Sequence, residues 1–279
     1  MKTEINGVRF EFGKNWRRFL ENLTPERIEY AKQDLQKMLG VKDLKGKTFL
    51  DAGCGSGIHS LAARMLGARV HSFDVDADAV NCTKYLKEKF FRNDENWTIE
   101  QGSLLDKAYI ESLGKFDIVY CWGVVHHTGD MKKAMDLVTI PVKEGGILFI
   151  SIYNKIRTYR LWKYIKRTYN QRPFMKYLWF SIFTPYFIAR SLVEGILQKD
   201  PLIVFKEYKR KRGMSYFTDI IDWLGGYPYE VAKPEEVLEF YINRKFILLR
   251  LITVGCGLGN NIFVFKKICD KNYEEITKF

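Results

Sequence analysis

From Lys47 to Lys267 the chain alternates short, dense apolar runs with longer segments whose apolar residues recur every three or four positions. The short runs are "KTFLDAG", "RVHSFDVD", "WTIEQG", "KFDIVYCWG" and "GGILFISIY". They are bounded by turn residues and predict strands. Between them "IHSLAARMLG", "DADAVNCTKYLKEKF", a short segment near 107–113 and "DMKKAMDLVTI" predict helices. Five strands alternating with helices make a doubly wound parallel sheet. Residues 14–40 read as one or two helices. In "LTPERIEYAKQDLQKMLG", Thr24 stands as N-cap, Pro25 at the first helical position and Gly40 as C-cap.

The last part of the chain departs from the alternation. "KPEEVLEFYINR" predicts a helix whose Pro234 and first-turn glutamates suit the N-terminal dipole. "KFILLRLITVG" and "NIFVFKK" then read as strands joined by a short turn, which forces them antiparallel. The expected fold is therefore α/β and Rossmann-like. Five parallel strands plus a C-terminal antiparallel hairpin form a seven-stranded sheet, with helices on both faces and a helical insertion after the fifth strand. The chain divides into an N-terminal helical cap (1–44), a cofactor-binding core (45–152), an insertion (153–233) and a C-terminal helix and hairpin completing the core (234–279).

The insertion has an unusual charge pattern. Between Tyr153 and Val193 there is no Asp or Glu, whereas Lys155, Arg157, Arg160, Lys163, Lys166, Arg167, Arg172, Lys176 and Arg190 are basic. Taken as a helix, residues 157–170 gather Leu161, Trp162, Ile165 and Tyr169 on one arc. Arg160, Lys163, Lys166 and Arg167 then cover the other side. Three readings follow, in this order: a lid over a substrate pocket, an interfacial helix on anionic lipid, and an RNA surface extended by "KEYKRKRG" at 206–213. The apolar run 177–189, "YLWFSIFTPYFIA", is shorter than the roughly 20 residues of a spanning helix. It also contains Pro185, so no transmembrane helix is expected.

Composition sharpens this picture only in part. The net charge of +12 over 279 residues admits nucleic acid, an anionic membrane or an acidic small substrate as partner. Five scattered cysteines form no paired framework, which fits reduced thiols, and no histidine or cysteine spacing suggests a metal site. The first residues lack the apolar core of a secretory signal. The expectation is a cytoplasmic protein, with peripheral contact at the inner membrane face as the variant that suits a lipid-linked substrate.

The strongest chemical signal is the stretch from Asp51 to Asp76, "DAGCGSGIHSLAARMLGARVHSFDVD". A glycine turn that opens a helix offers N–H groups and a positive dipole end to an anion. The dinucleotide fingerprint is G-x-G-x-x-G. Here Gly53, Gly55 and Gly57 make G-x-G-x-G, and Ile58 stands where that fingerprint's third glycine would be. Asp74, at the end of the second strand, is placed to hold both ribose hydroxyls, which excludes a 2′-phosphate.

"FLDAGCGSG", "HSFDVD", "FDIVYCWGVVHHTGD" and "VKEGGILFISIYN" follow one another at strand ends. Together they resemble the class I S-adenosylmethionine-dependent methyltransferases. "NWRRFL" and "RGMSYFTDIIDWLGGYPYEVAKPEE" are similar to a bacterial and archaeal group related to the quinone-type O-methyltransferases. The resemblance implies S-adenosylmethionine as cofactor and S-adenosylhomocysteine as product. It implies that Asp51 and the backbone of Gly53, Cys54 and Gly55 lie at the methionine end, that Asp74 takes the ribose, and that Val75 and Leu104 border the adenine. Ser103 would lie near the adenine amino group, with Asp106 as its substitute. Carbonyls of Cys121 and Trp122 would meet the ammonium.

Methyl transfer is an in-line displacement from a leaving group that departs neutral, so positioning supplies much of the catalysis. A hydroxyl acceptor also benefits from a general base. His126 and His127 stand in "WGVVHHTGD" near the expected methyl, and they fit either a base or groups that satisfy the backbone. Asp222 is the alternative base. Tyr153, Tyr216, Trp223 and Tyr227 are candidate substrate contacts, because aromatic faces interleaved with acids suit polar rings. The same segment also reads as a capped helix and turn packed on the sheet. The expected activity is O-methylation of a small molecule: a saccharide, a quinone-like phenol or a lipid-linked intermediate. An RNA methyltransferase and a non-catalytic cofactor-binding subunit are the alternatives.

Overall fold

The structure is a computed structural model that describes residues 10, 12–21, 23–206 and 216–269. Most of the basic segment at 206–213, and the first residues of "RGMSYF", lie outside the described residues. Helices α1 (Phe12–Glu21) and α2 (Pro25–Leu39) precede the sheet, and Gly40 closes α2 in the left-handed conformation. The alternating core then runs β1 (Thr48–Ala52), α3 (Ile58–Met65), β2 (Arg69–Asp74), α4 (Ala77–Phe90) and β3 (Trp97–Gln101). It continues through α5 (Lys107–Ser112), β4 (Phe116–Trp122), α6 (Met131–Leu137) and β5 (Val142–Tyr153).

The sheet order is β3-β2-β1-β4-β5-β7-β6, where β6 is Phe246–Ile252 and β7 is Asn260–Lys267. Strands β1 to β5 pair in parallel, and β7 runs antiparallel to both β5 and β6. This is the seven-stranded arrangement expected from the alternation and the final hairpin.

Strand residues split between two faces because side chains alternate along a strand. Phe49, Ile118, Tyr120, Phe149 and Val264 meet Ile28, Leu35, Leu61 and Leu86 from α2, α3 and α4. Leu50, Val119, Leu148, Ile150, Phe263 and Phe265 meet Ile110, Met135, Val237 and Tyr241 on the other face. The last two of these come from α10 (Pro234–Ile242). Each fully buried large side chain contributes roughly 1.5–3 kcal/mol. The two cores hold the C-terminal ends of β1, β2 and β4 side by side, and the site opens there.

The insertion comprises α7 (Tyr159–Gln171), α8 (Pro173–Leu197) and α9 (Tyr216–Gly225) and has its own aromatic core. Two expectations about it need correction. Lys166 lies inside the buried arc of α7 with Trp162, Ile165 and Tyr169, whereas Leu161 is 55% exposed. At about 100° per residue, Lys166 stands about 40° from Trp162 and Leu161 about 100° from it. The buried face is centred near Trp162 and takes in the lysine. Secondly, Pro185 does not end the helix: α8 continues for 25 residues, so its length, though not the expectation that it does not span a membrane, is what needs correcting. Pro185 lies on the exposed side of the helix, where water can satisfy the carbonyl that loses its partner.

Candidate active site

A cavity of about 580 Å³ lies over the C-terminal ends of β1, β2 and β4, within the range of small-molecule sites. On one side it is lined by the glycine turn. Gly53, Gly55 and Gly57 all have positive φ (84°, 53° and 79°). A Cβ on Gly53 would stand 2.4 Å from Val124, and one on Gly55 would stand 3.1 Å from Trp16. Glycine is required here both by conformation and by the approach of these neighbours.

Three of the turn's N–H groups have partners within the protein. Those of Gly53 and Cys54 donate to the Phe73 carbonyl at 2.8 and 3.0 Å, and that of Gly55 donates to Asp74 Oδ2 at 3.0 Å. A ligand carboxylate at this end needs another donor. Arg27, from α2, is the only lysine or arginine among the described residues lining the cavity. Burial lowers its pKa.

Asp51 is buried beneath the turn and accepts from Ser60 Oγ. Burial pushes its carboxyl up to about 7, the Ser60 hydrogen bond opposes this, and Asp74 adds to it. A ligand ammonium would relieve that cost. The Asp74 carboxylate is held by the N–H groups of Gly55 and Asp76, one to each oxygen. A carboxylate in this position has the acceptor chemistry that a ribose hydroxyl needs. Val75, Leu104 and Leu105 supply an apolar slot beside it. These features fit S-adenosylmethionine: cation and anion partners at one end, a carboxylate for the ribose, and an apolar slot for the base.

The acceptor side of the same cavity is formed by His126, His127, Tyr153, Asp219, Asp222, Trp223 and Phe12. Both histidines follow β4 in a short 3-10 turn, Val125–His127. His127 Nδ1 lies 2.6 Å from the carbonyl of Pro228. A carbonyl only accepts, so Nδ1 carries the proton and Nε2 is the acceptor atom of the neutral ring. Gly226 lets this ring lie against the backbone, since a Cβ there would stand 2.9 Å from its Cε1. His126 Nδ1 accepts from the Tyr153 N–H at 3.3 Å, and burial, with His127 and Lys166, pushes its pKa far down. It is a neutral acceptor that fixes the end of β5, and its ring packs on Tyr153 with centroids 4.0 Å apart.

Asp222 accepts from Asn15 Nδ2 at 2.5 Å. Burial pushes its carboxyl up to about 7, with Asn15 and Lys166 opposing and Asp219 adding. Lys166 donates to the Trp223 carbonyl and lies over the rings of Tyr153, Trp223 and Tyr229. Burial lowers its ammonium to about 7, opposed by Asp222. A half-buried acid that lines the cavity thus stands in front of a buried lysine.

Of the residues singled out from sequence, Asp51, Gly53, Cys54, Gly55, Asp74, Val75, Ser103, Leu104, Trp122, His126, His127, Tyr153, Asp222 and Trp223 line this cavity. Three do not. Cys121 is fully buried in the sheet core beside Val119 and Ile150. The Tyr216 ring packs on Phe205 and its hydroxyl bonds Ser191, on the side of α9 facing α8. Tyr227 is buried in the insertion core, and its carbonyl accepts from the Phe10 N–H. Ser103 Oγ accepts from the Leu105 N–H, and Asp106 caps α5 through the Tyr109 N–H instead of facing the cavity.

Sequence reasoning missed the contribution of α1 and α2. Phe12 packs on His127, Asn15 binds Asp222, Trp16 covers Gly55, and Arg27 lines the cavity. Asn15 and Asp222 are separated by 207 positions. No local pattern marks such a contact.

Comparison with known proteins agrees with this geometry. A family model described as a methyltransferase domain matches residues 23–194. Ubiquinone biosynthesis O-methyltransferase from Colwellia psychrerythraea is 30% identical over 149 residues, covering 51% of this chain and 58% of that protein. The protein of the same name from Glaesserella parasuis is 32% identical over 133 residues, covering 48% and 54%. The aligned segment thus spans little more than half the length of these relatives. Among solved structures, magnesium protoporphyrin IX methyltransferase from Synechocystis PCC 6803 superposes with a TM-score of 0.53 at 14% identity. That match covers 91% of this chain and 93% of the other, and shows a shared fold.

Proposed function

The chain belongs to this methyltransferase family, as a class I S-adenosylmethionine-dependent methyltransferase, and we propose that it methylates a ring hydroxyl of a phenolic, quinone-type small molecule. The observation that carries the reading is the position of His127. Its Nδ1–H is tied to Pro228, and its ring borders the same cavity as the glycine turn and Asp74. Relatives named for O-methylation in ubiquinone biosynthesis support oxygen as the receiving atom. Phe12, Tyr153 and Trp223 give the acceptor side aromatic walls, which suit a planar ring.

When bound, S-adenosylmethionine supplies an electrophilic methyl group on a sulfonium that departs as a neutral thioether. The residues of this chain orient and deprotonate the acceptor. His127 Nε2 takes the hydroxyl proton as the oxygen attacks, and the Pro228 carbonyl stabilises the Nδ1–H of the resulting imidazolium. His126 keeps Tyr153 and the end of β5 in place. Asp222, held by Asn15, is an acceptor for a second hydroxyl of the ring, and its raised pKa lets it also donate while protonated. Helix α1 excludes water by covering the cavity with Phe12 and Trp16.

The test is turnover with methyl-labelled S-adenosylmethionine against catechol-type phenols, saccharides and RNA, with the labelled atom identified by mass spectrometry. Label on the oxygen of a phenol is expected. Label confined to nitrogen, carbon, sugar or RNA would overturn the reading.

A further inference from the structure

Helix α8 is apolar on both of its faces. Trp179, Phe180, Phe183 and Phe187 pack into the insertion core, and only Ser191 and Gly195 of its 25 residues are fully buried. On the opposite side Phe174, Tyr177, Ile182, Tyr186, Val193 and Ile196 are exposed, with Tyr177 at 78% and Phe174 at 71%. At about 100° per residue they fall within one half of the helix. Such a continuous apolar strip is uncommon on a soluble surface and marks a contact.

The charges around it are mostly basic, with Glu194 the one acid on α8. Helix α7 turns directly into α8 at Arg172 and runs antiparallel to it, as Trp162 packs on Phe183 and Trp179 donates to Thr168. Its exposed side carries Arg160, Lys163 and Arg167 together with Leu161 and Tyr164. Arg190 borders the strip on α8 itself, and no acid occurs from Tyr153 to Val193.

We infer that the α7–α8 hairpin docks on an anionic lipid bilayer, with the outer face of α8 lying in the plane of the interface. An apolar strip bordered by lysine and arginine is the chemistry of an interfacial helix. Spanning is incompatible with the fold although α8 is long enough for it. The next described helix, α9, packs on α1, α7 and α8 and lines the cavity, so the chain returns to the side it left. The packed face of α8 reaches the cavity wall, where Phe187 meets Trp223 with centroids 5.6 Å apart. On the ring-hydroxyl reading above, docking would present the cavity to an acceptor dissolved in the membrane; the docking itself does not depend on that reading.

The experiment is flotation of the full chain with vesicles of phosphatidylcholine alone or mixed with phosphatidylglycerol. It is repeated with Phe174→Ser/Tyr177→Ser and with Arg160→Glu/Lys163→Glu. Calorimetric titration with S-adenosylhomocysteine reports folding of each variant independently of turnover. The expected result is binding to the anionic vesicles, weakened about tenfold or more on neutral vesicles, at high salt and in either variant, with S-adenosylhomocysteine binding unchanged. Absence of binding to anionic vesicles would overturn the inference, as would binding that neither variant reduces. Self-association lost in the Phe174/Tyr177 variant, without lipid binding, would assign the strip to a second copy of the chain. RNA retention lost in the Arg160/Lys163 variant, without lipid binding, would assign the basic face to nucleic acid.

Discussion

His127 and Asp222 share one cavity wall, but their surroundings direct them to different work. The carbonyl of Pro228 fixes the proton of His127 on Nδ1, so His127→Ala should lower kcat by about a hundredfold, the usual scale of a lost general base. S-adenosylhomocysteine affinity should stay within about twofold, and parallel loss of both would point to a structural role. At the other end, Arg27→Ala should weaken cofactor binding about tenfold or more by calorimetry, the scale of a lost hydrogen bond to a charged group. Unchanged affinity would remove Arg27 from the site. Asp222 yields a prediction in pH. Its folded pKa, about 7, lies above the ordinary 3.8, so the native state holds a proton that the unfolded chain releases between those values. Stability from this group is present below pH 4 and is lost as pH rises to about 7. Lys166, lowered to about 7 from 10.5, acts oppositely in a higher window, where stability rises from pH 7 towards 10.5. Asp222→Asn should therefore look more favourable relative to the parent at pH 8 than at pH 5 in thermal melts. An equal difference at both pH values would contradict the raised carboxyl.

Elements were legible wherever their signal was local. The end of α2 at Gly40 and the parallel run of strands follow from cap chemistry and apolar spacing. Helix α7 was misread by one step because its buried arc is chosen by the partners it packs against. Trp223 and Tyr229 draw in Lys166, while Leu161 has no neighbour of that kind in the insertion core. The same limit hid α1, whose contacts with Asp222 and His127 cross most of the chain. The glycine turn is the element most sensitive to a single atom. Gly53→Ala would place Cβ 2.4 Å from Val124 at a φ of +84°. A left-handed non-glycine residue alone costs about 1–2 kcal/mol. The expected outcome is a lower Tm together with cofactor binding weakened about tenfold or more. Retention of both would show that the turn has room it does not display.

At the scale of the whole molecule, the cavity gathers residues from Phe10 to Ile262, so both ends of the described chain contribute to one site. Saturating S-adenosylhomocysteine should therefore stabilise the entire fold, by about 2.7 kcal/mol at a hundredfold excess over Kd. A Tm that does not move would mean the ligand reaches only a locally unfolding piece. The residue order alone determined the strand and helix succession, the antiparallel hairpin, the glycine turn with Asp74, and hence the methyltransferase fold and its cofactor. Those signals depend on residues within a few positions of one another, where backbone geometry is the only constraint. The tertiary structure decided the rest. It turned the glycine N–H groups towards Phe73 and Asp74, brought Arg27 to the cavity, withdrew Cys121, Tyr216 and Tyr227 from it, and buried Lys166 behind Asp222. It also carried α8 through Pro185 with its outer face uncovered. Each of these outcomes depends on which distant surfaces meet, and a meeting across two hundred residues leaves no spacing to read.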